Sequence, residues 1–153
     1  MRARSELANL VVEFIGVFTL VFAGAGAIIA TNGENLVAIA LAHGLAIGLM
    51  VAAAGHVSGG VFNPAIALAL MATGKVPPVR GALFIVAELL GGIAGALALK
   101  GVYPAAAVDA VKLGTPLPGA GFSAGQALLA AVLYNYLLLD QAPAKEAVDL
   151  PQQ

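Results

Sequence analysis

The stretch Gly55-His56-Val57-Ser58-Gly59-Gly60-Val61-Phe62-Asn63-Pro64-Ala65-Ile66-Ala67-Leu68-Ala69-Leu70-Met71 decides how this chain folds. Its first part is too rich in glycine to continue as a helix. Its second part is apolar but only about half the ~20 residues that cross a bilayer. Between them, Asn63-Pro64 is a helix-start signal, since Asn caps and Pro at the first helical position gives up no needed N–H. The spacing therefore predicts a re-entrant loop and half-helix over about 55–72. Irregular backbone at membrane depth survives only where protein or a watery cavity satisfies its polar groups. The carbonyls of Gly59, Gly60, Val61 and Phe62 would then line a path as acceptors. The half-helix N-terminus would add partial positive charge and the Asn63 amide, an arrangement that binds neutral polar molecules and repels cations. The competing reading is an ordinary loop leading into a kinked core helix.

The flanks decide for the membrane. Apolar runs cover about 7–30, broken by Glu13, then 36–54, containing His43, and 81–99, containing Glu88. Each approaches the length of a span. A fourth run, 124–139, carries Gln126 and Asn135 and is short for a crossing; the tail 140–153 is polar. A signal peptide is the rival for the first run, with Arg2 and Arg4 ahead of it and Ala25-Gly26-Ala27 as the cleavage site. The run is too long for that and holds a carboxylate. Long continuous apolar runs, not short alternating ones, exclude a β architecture.

Composition agrees. The chain has 153 residues, 61% hydrophobic and 10% charged, where a soluble domain carries about 25% charged. Seven Lys plus Arg and a net charge of −1 exclude a clustered basic face for nucleic acid. Cysteine is absent, so neither disulfides nor thiolate metal sites are available. No nucleophile–base pair, metal-ligand cluster or phosphate-cradling loop is recognisable, so neither an enzyme nor a cofactor is expected. With the N-terminus cytoplasmic, Arg2, Arg4, Lys75, Arg80 and Lys145 fall inside and Lys100 and Lys112 outside. That bias predicts a multi-pass cell-membrane protein with both termini cytoplasmic. Gly44/Gly48 and Gly91/Gly95 are G-x-x-x-G pairs, read as packing faces.

Ser58-Gly59-Gly60-Val61-Phe62-Asn63-Pro64-Ala65 resembles the first Asn-Pro-Ala box of the aquaporin, or major intrinsic protein, family. The likeness extends to Glu13-Phe14-Ile15-Gly16, Phe18-Thr19-Leu20-Val21-Phe22, Ala40-Leu41-Ala42-His43-Gly44 and Gly91-Gly92-Ile93-Ala94-Gly95, covering about 8–133. It implies an all-α membrane fold: a first repeat of three transmembrane helices plus the half-helix over 1–123, then a fourth helix. It also implies that Asn63, with Pro64 and Ala65, is the first of two pore asparagines. His43 would stand at the selectivity constriction, as in plant tonoplast-type members. Glycerol facilitators usually carry Trp there, and this chain has no Trp, which leans the solute toward water or a small neutral molecule. Glu13 matches a buried glutamate that bonds re-entrant backbone, and His56 is grouped with it as a buried structural polar residue. Glu88 stands where relatives often have Gln and is assigned no role.

Departures from the family pattern are Val61 for His, Ala67 for Thr and Ala131 for a second buried Glu. A second Asn-Pro-Ala box, the constriction Arg and two further spans are missing from these 153 residues. The resemblance thus implies a passive channel that is incomplete as a single, truncated chain. Assembly as a homotetramer or pairing with another channel chain follows from it. The alternative is a non-conducting subunit or fragment that joins a full-length channel. An ion-coupled transporter is weaker, because a second half-helix to complete its site is lacking.

Overall fold

The computed structural model describes residues 5–115, together with Gly121, Ser123, Gly125, Gln126 and Leu129. The fourth apolar run apart from Gly125, Gln126 and Leu129, the tail 140–153, and Arg2, Arg4 and Lys145 lie outside the described residues. The chain divides into two compact units, Met1–Thr115 and Pro116–Gln153. The candidate site belongs to the first, which is helical throughout its described elements.

Helix α1, Glu6–Ala30, starts where the Ser5 hydroxyl accepts the Ala8 N–H. At 25 residues and 1.5 Å per residue it is about 37 Å long, enough for a ~30 Å hydrocarbon core. It ends in a turn through Asn32 and Gly33, both left-handed, with the Gly33 N–H closing back on the Ile28 carbonyl. Helix α2, Leu36–Ser58, is capped by Asn35, whose side chain accepts the Ala38 N–H at 3.0 Å. Helix α3, Pro64–Ala72, is only nine residues long and is capped by Asn63. Helix α4, Pro78–Val102, begins after Pro77 with Pro at its first position. A short α5, Ala105–Ala110, and a single tight turn at Lys112–Gly114 follow. The 100–121 segment, which reads as a mixed loop, therefore contains helix, held because Val108 buries against Ile29 and Leu99.

Helices α1, α2 and α4 are each long and apolar enough to cross a membrane. Helix α1 packs on both α2 and α4, and α3 rests on α4. Small residues let the helices approach, as expected where lipid removes the hydrophobic drive for helix association. A Cβ at Gly91 would overlap the Phe14 carbonyl oxygen, and one at Gly95 would lie 2.9 Å from that of Phe18. The pair on α2 behaves differently: none of the described residues lies within 4 Å of a Cβ at Gly44 or Gly48. Among the described residues those two glycines form no packing face. Leu36, Val37, Leu41, Leu45 and Leu49 on α2 are exposed as well.

Candidate functional site

Helix α2 runs through Gly55 to Ser58 and stops only where two successive glycines take positive φ, +103° at Gly59 and +66° at Gly60. Glycine alone adopts that region without penalty. One left-handed residue follows that is not glycine: Phe62, at φ +46°. For a bulky side chain this conformation costs roughly 1–3 kcal/mol, so its surroundings must impose it.

They do so from both sides. Glu13 on α1 accepts the Val61 N–H on Oε1 at 3.1 Å and the Phe62 N–H on Oε2 at 2.6 Å. Glu88 on α4 accepts the Asn63 N–H on Oε1 at 2.9 Å. Both carboxyl groups have no exposed surface. The Phe62 ring, 1% exposed, lies where a Cβ at Gly16 would otherwise be. Three consecutive backbone donors are thus fixed by two helices, and Phe62 is pinned by its amide at one end and its ring at the other.

Asn63 then turns the chain into α3. Its Oδ1 accepts the Ala65 N–H at 2.9 Å, and its own carbonyl accepts the Ala67 N–H. Its Nδ2 donates to none of the described residues, and the carbonyls of Gly59, Gly60, Val61 and Phe62 accept from none of them. The loop therefore spends its donors on the protein behind it and keeps a row of acceptors and one amide donor for something else. Depth follows from the same bonds. Glu88 lies ten residues into α4, about 15 Å from its start, so the bonded Asn63 N–H sits near the middle of that helix.

His43 lies on α2, half-buried, with Nδ1 bonded to the Ile39 carbonyl at 2.8 Å. Since a carbonyl only accepts, Nδ1 carries a proton and donates it there. The ring packs over Gly24 of α1, where a Cβ would overlap Nε2. Pro64 and Ala65 open α3. His56 is a correction: it is exposed on α2 and not buried. The helix continues to Ser58, which is buried, and two residues earlier means about 200° around the axis, on the opposite side.

Glu88 is the residue that sequence reasoning left without a role. Its signal was present: Glu13-x-x-Gly16 recurs as Glu88-x-x-Gly91, a buried carboxyl one helical turn from a glycine of close approach.

Span-length helices supporting a half-helix that starts at mid-helix depth define a polytopic membrane protein of the re-entrant-loop class. Comparison with known proteins agrees. The model of the major intrinsic protein family matches residues 1–145, and the chain belongs to that family. It is 43% identical over 117 residues to the lens fiber major intrinsic protein of Lithobates pipiens, covering 75% of this chain and 44% of that one. It is 37% identical over 147 residues to aquaporin TIP4-4 of Zea mays, covering 89% and 54%. It is 36% identical over 128 residues to the glycerol uptake facilitator protein-like 6 of Lactiplantibacillus plantarum, covering 83% and 58%. The chain spans about half the length of these curated relatives. Family membership makes it a multi-pass membrane protein and not an enzyme.

Proposed function

We propose that this chain supplies one wall of a passive pore for water, with other small neutral solutes as secondary cargo. The observation that carries the reading is the division of hydrogen-bonding groups along the loop. Donors of Val61, Phe62 and Asn63 are consumed by Glu13 and Glu88, while among the described residues nothing engages the Gly59–Phe62 carbonyls or the Asn63 Nδ2. A water molecule needs both kinds of partner at once. A cation meets the positive end of α3 and the Asn63 amide, which disfavour it. Pro64 and Ala65 set the start of α3, and His43, half-buried on α2, narrows the way in.

Among the described residues the wall is one-sided, so conduction requires a second one. A further segment of a longer product, a neighbouring copy within a homotetramer, or another channel chain would complete it. The exposed face of α2 and the open Gly44/Gly48 pair favour a helix partner there over none. A non-conducting role alongside a full-length channel rests on the same exposed face. The charges favour a cell-membrane protein with cytoplasmic termini: the Arg80–Glu6 ion pair ties the starts of α4 and α1 to one side, and Lys75 precedes α4 on that side.

Stopped-flow swelling of proteoliposomes decides between these roles. Osmotic water permeability above that of empty vesicles, lost in Asn63→Asp, supports the pore. Folded protein with no permeability alone, but co-purifying with a full-length channel, supports the subunit reading instead.

A further inference from the structure

Two carboxyl groups serve the three loop donors, and they are not used alike. Glu13 accepts on both oxygens. Glu88 accepts on Oε1 alone, and its Oε2 is buried with no donor. They hold the adjacent amides of Phe62 and Asn63, so the two carboxyl groups lie side by side. Two acceptors so placed repel each other unless a proton lies between them. An orphaned buried carboxylate oxygen is costly, and two adjacent carboxylates shielded from water do not both ionise.

One proton removes both difficulties. We propose that Glu13 and Glu88 hold a single proton in common, carried on Glu88 Oε2 and donated to Glu13, and that this clasp makes Glu88 the positioning residue for Asn63. Glu13 is the ionised member, because an anion gains from three donors: the Val61 N–H, the Phe62 N–H and the Glu88 O–H. Glu88 is the neutral member, accepting the Asn63 N–H on one oxygen and donating from the other. No counter-cation is needed. Arg80 is engaged by Glu6 at 2.9 Å, and Lys75, Lys100 and Lys112 are exposed. On α2, His43 is bonded to the Ile39 carbonyl and His56 is exposed. The clasp stands whether or not the chain conducts.

Infrared spectroscopy of the full chain in lipid vesicles tests it, with wild type compared to Glu88→Gln and Glu88→Leu. A carboxylic-acid carbonyl band, insensitive to bulk pH near neutrality, is expected in the wild type and absent from Glu88→Gln. Glutamine supplies the same acceptor and a replacement N–H donor, so amide exchange at Asn63 should stay near the wild-type rate. Leucine supplies neither, and exchange should accelerate by about tenfold or more. A wild type with no acid band, or a band surviving in Glu88→Gln, overturns the proposal. That comparison stands even if Glu88→Leu does not fold, and it reads independently of water permeability.

Discussion

Replacing Glu13 by Leu removes the two acceptors that hold Val61 and Phe62 while keeping a side chain of similar length on α1. The magnitude follows from what is left behind. The Phe62 N–H is buried and the Val61 N–H partly so, and an orphaned buried donor costs about 1–3 kcal/mol. The left-handed backbone at Phe62 (φ +46°) is strained by roughly 1–3 kcal/mol in both proteins, so it cancels in the comparison and the two lost bonds set the difference. Taking about 3 kcal/mol for the sum of lost support, local opening of the loop becomes roughly a hundredfold more frequent. Hydrogen exchange followed by mass spectrometry, on protein in lipid nanodiscs, reads this directly. Amides of 59–63 should exchange about a hundredfold faster while the middle of α4 keeps its protection. Glu13→Gln retains one acceptor and should fall near the geometric mean of the two. Unchanged protection over 59–63 in a folded Glu13→Leu protein would refute the reasoning, because the loop would then be held by something other than the carboxylate.

Other consequences are smaller or more local. Asn63→Ala removes the side-chain cap on the Ala65 N–H and should destabilise α3 by about 1 kcal/mol, measured as faster exchange confined to 65–69. Gly91→Ala drives a methyl into the Phe14 carbonyl and should cost about 1–3 kcal/mol in denaturant titrations of the detergent-solubilised chain. Gly44→Ala, which meets nothing within 4 Å, should leave that titration unchanged and weaken only an assembly that covers α2, seen as a shift in cross-linked oligomers. Arg80→Ala breaks a bidentate but part-exposed pair with Glu6, so the expected loss is at most about 1 kcal/mol.

Much of this architecture is legible in the residues because bilayer chemistry leaves few options. Glycine-rich backbone followed by Asn63-Pro64 has few ways to satisfy itself at depth, and a lone Glu13 in an apolar run demands a partner. The misreadings share a cause: they turn on the direction a side chain faces, which composition does not encode. Gly55 suggests the end of α2, yet helix continues to Ser58 because only Gly59 and Gly60 adopt positive φ. That four-residue extension beyond position 54 turns His56 outward. Gly44/Gly48 and Gly91/Gly95 have identical spacing, but only the second pair faces α1. Within 100–121, Tyr103 reaches the Gly26 carbonyl at 3.4 Å and Val108 joins Ile29 and Leu99. Contacts between residues so distant in sequence leave no local pattern.

The repeated Glu-x-x-Gly spacing explains why the loop can be held so deep. On each helix the carboxyl and the glycine are three residues apart and so share one face. At Gly16 the missing side chain admits the Phe62 ring; at Gly91 it admits the α1 backbone at Phe14. The first brings the loop against α1, and the second brings α4 close enough for Glu88 to reach the amide next to those held by Glu13. A side chain at Gly91 would widen the gap between the helices, so Glu88 could no longer bond Asn63 while Glu13 bonds Phe62. Loop geometry is therefore set by the α1–α4 distance as much as by the carboxylates. It follows that Gly91→Ala should raise exchange at Asn63 more than at Val61, since Val61 depends on α1 alone. Equal acceleration at both would mean that the loop does not sense that distance.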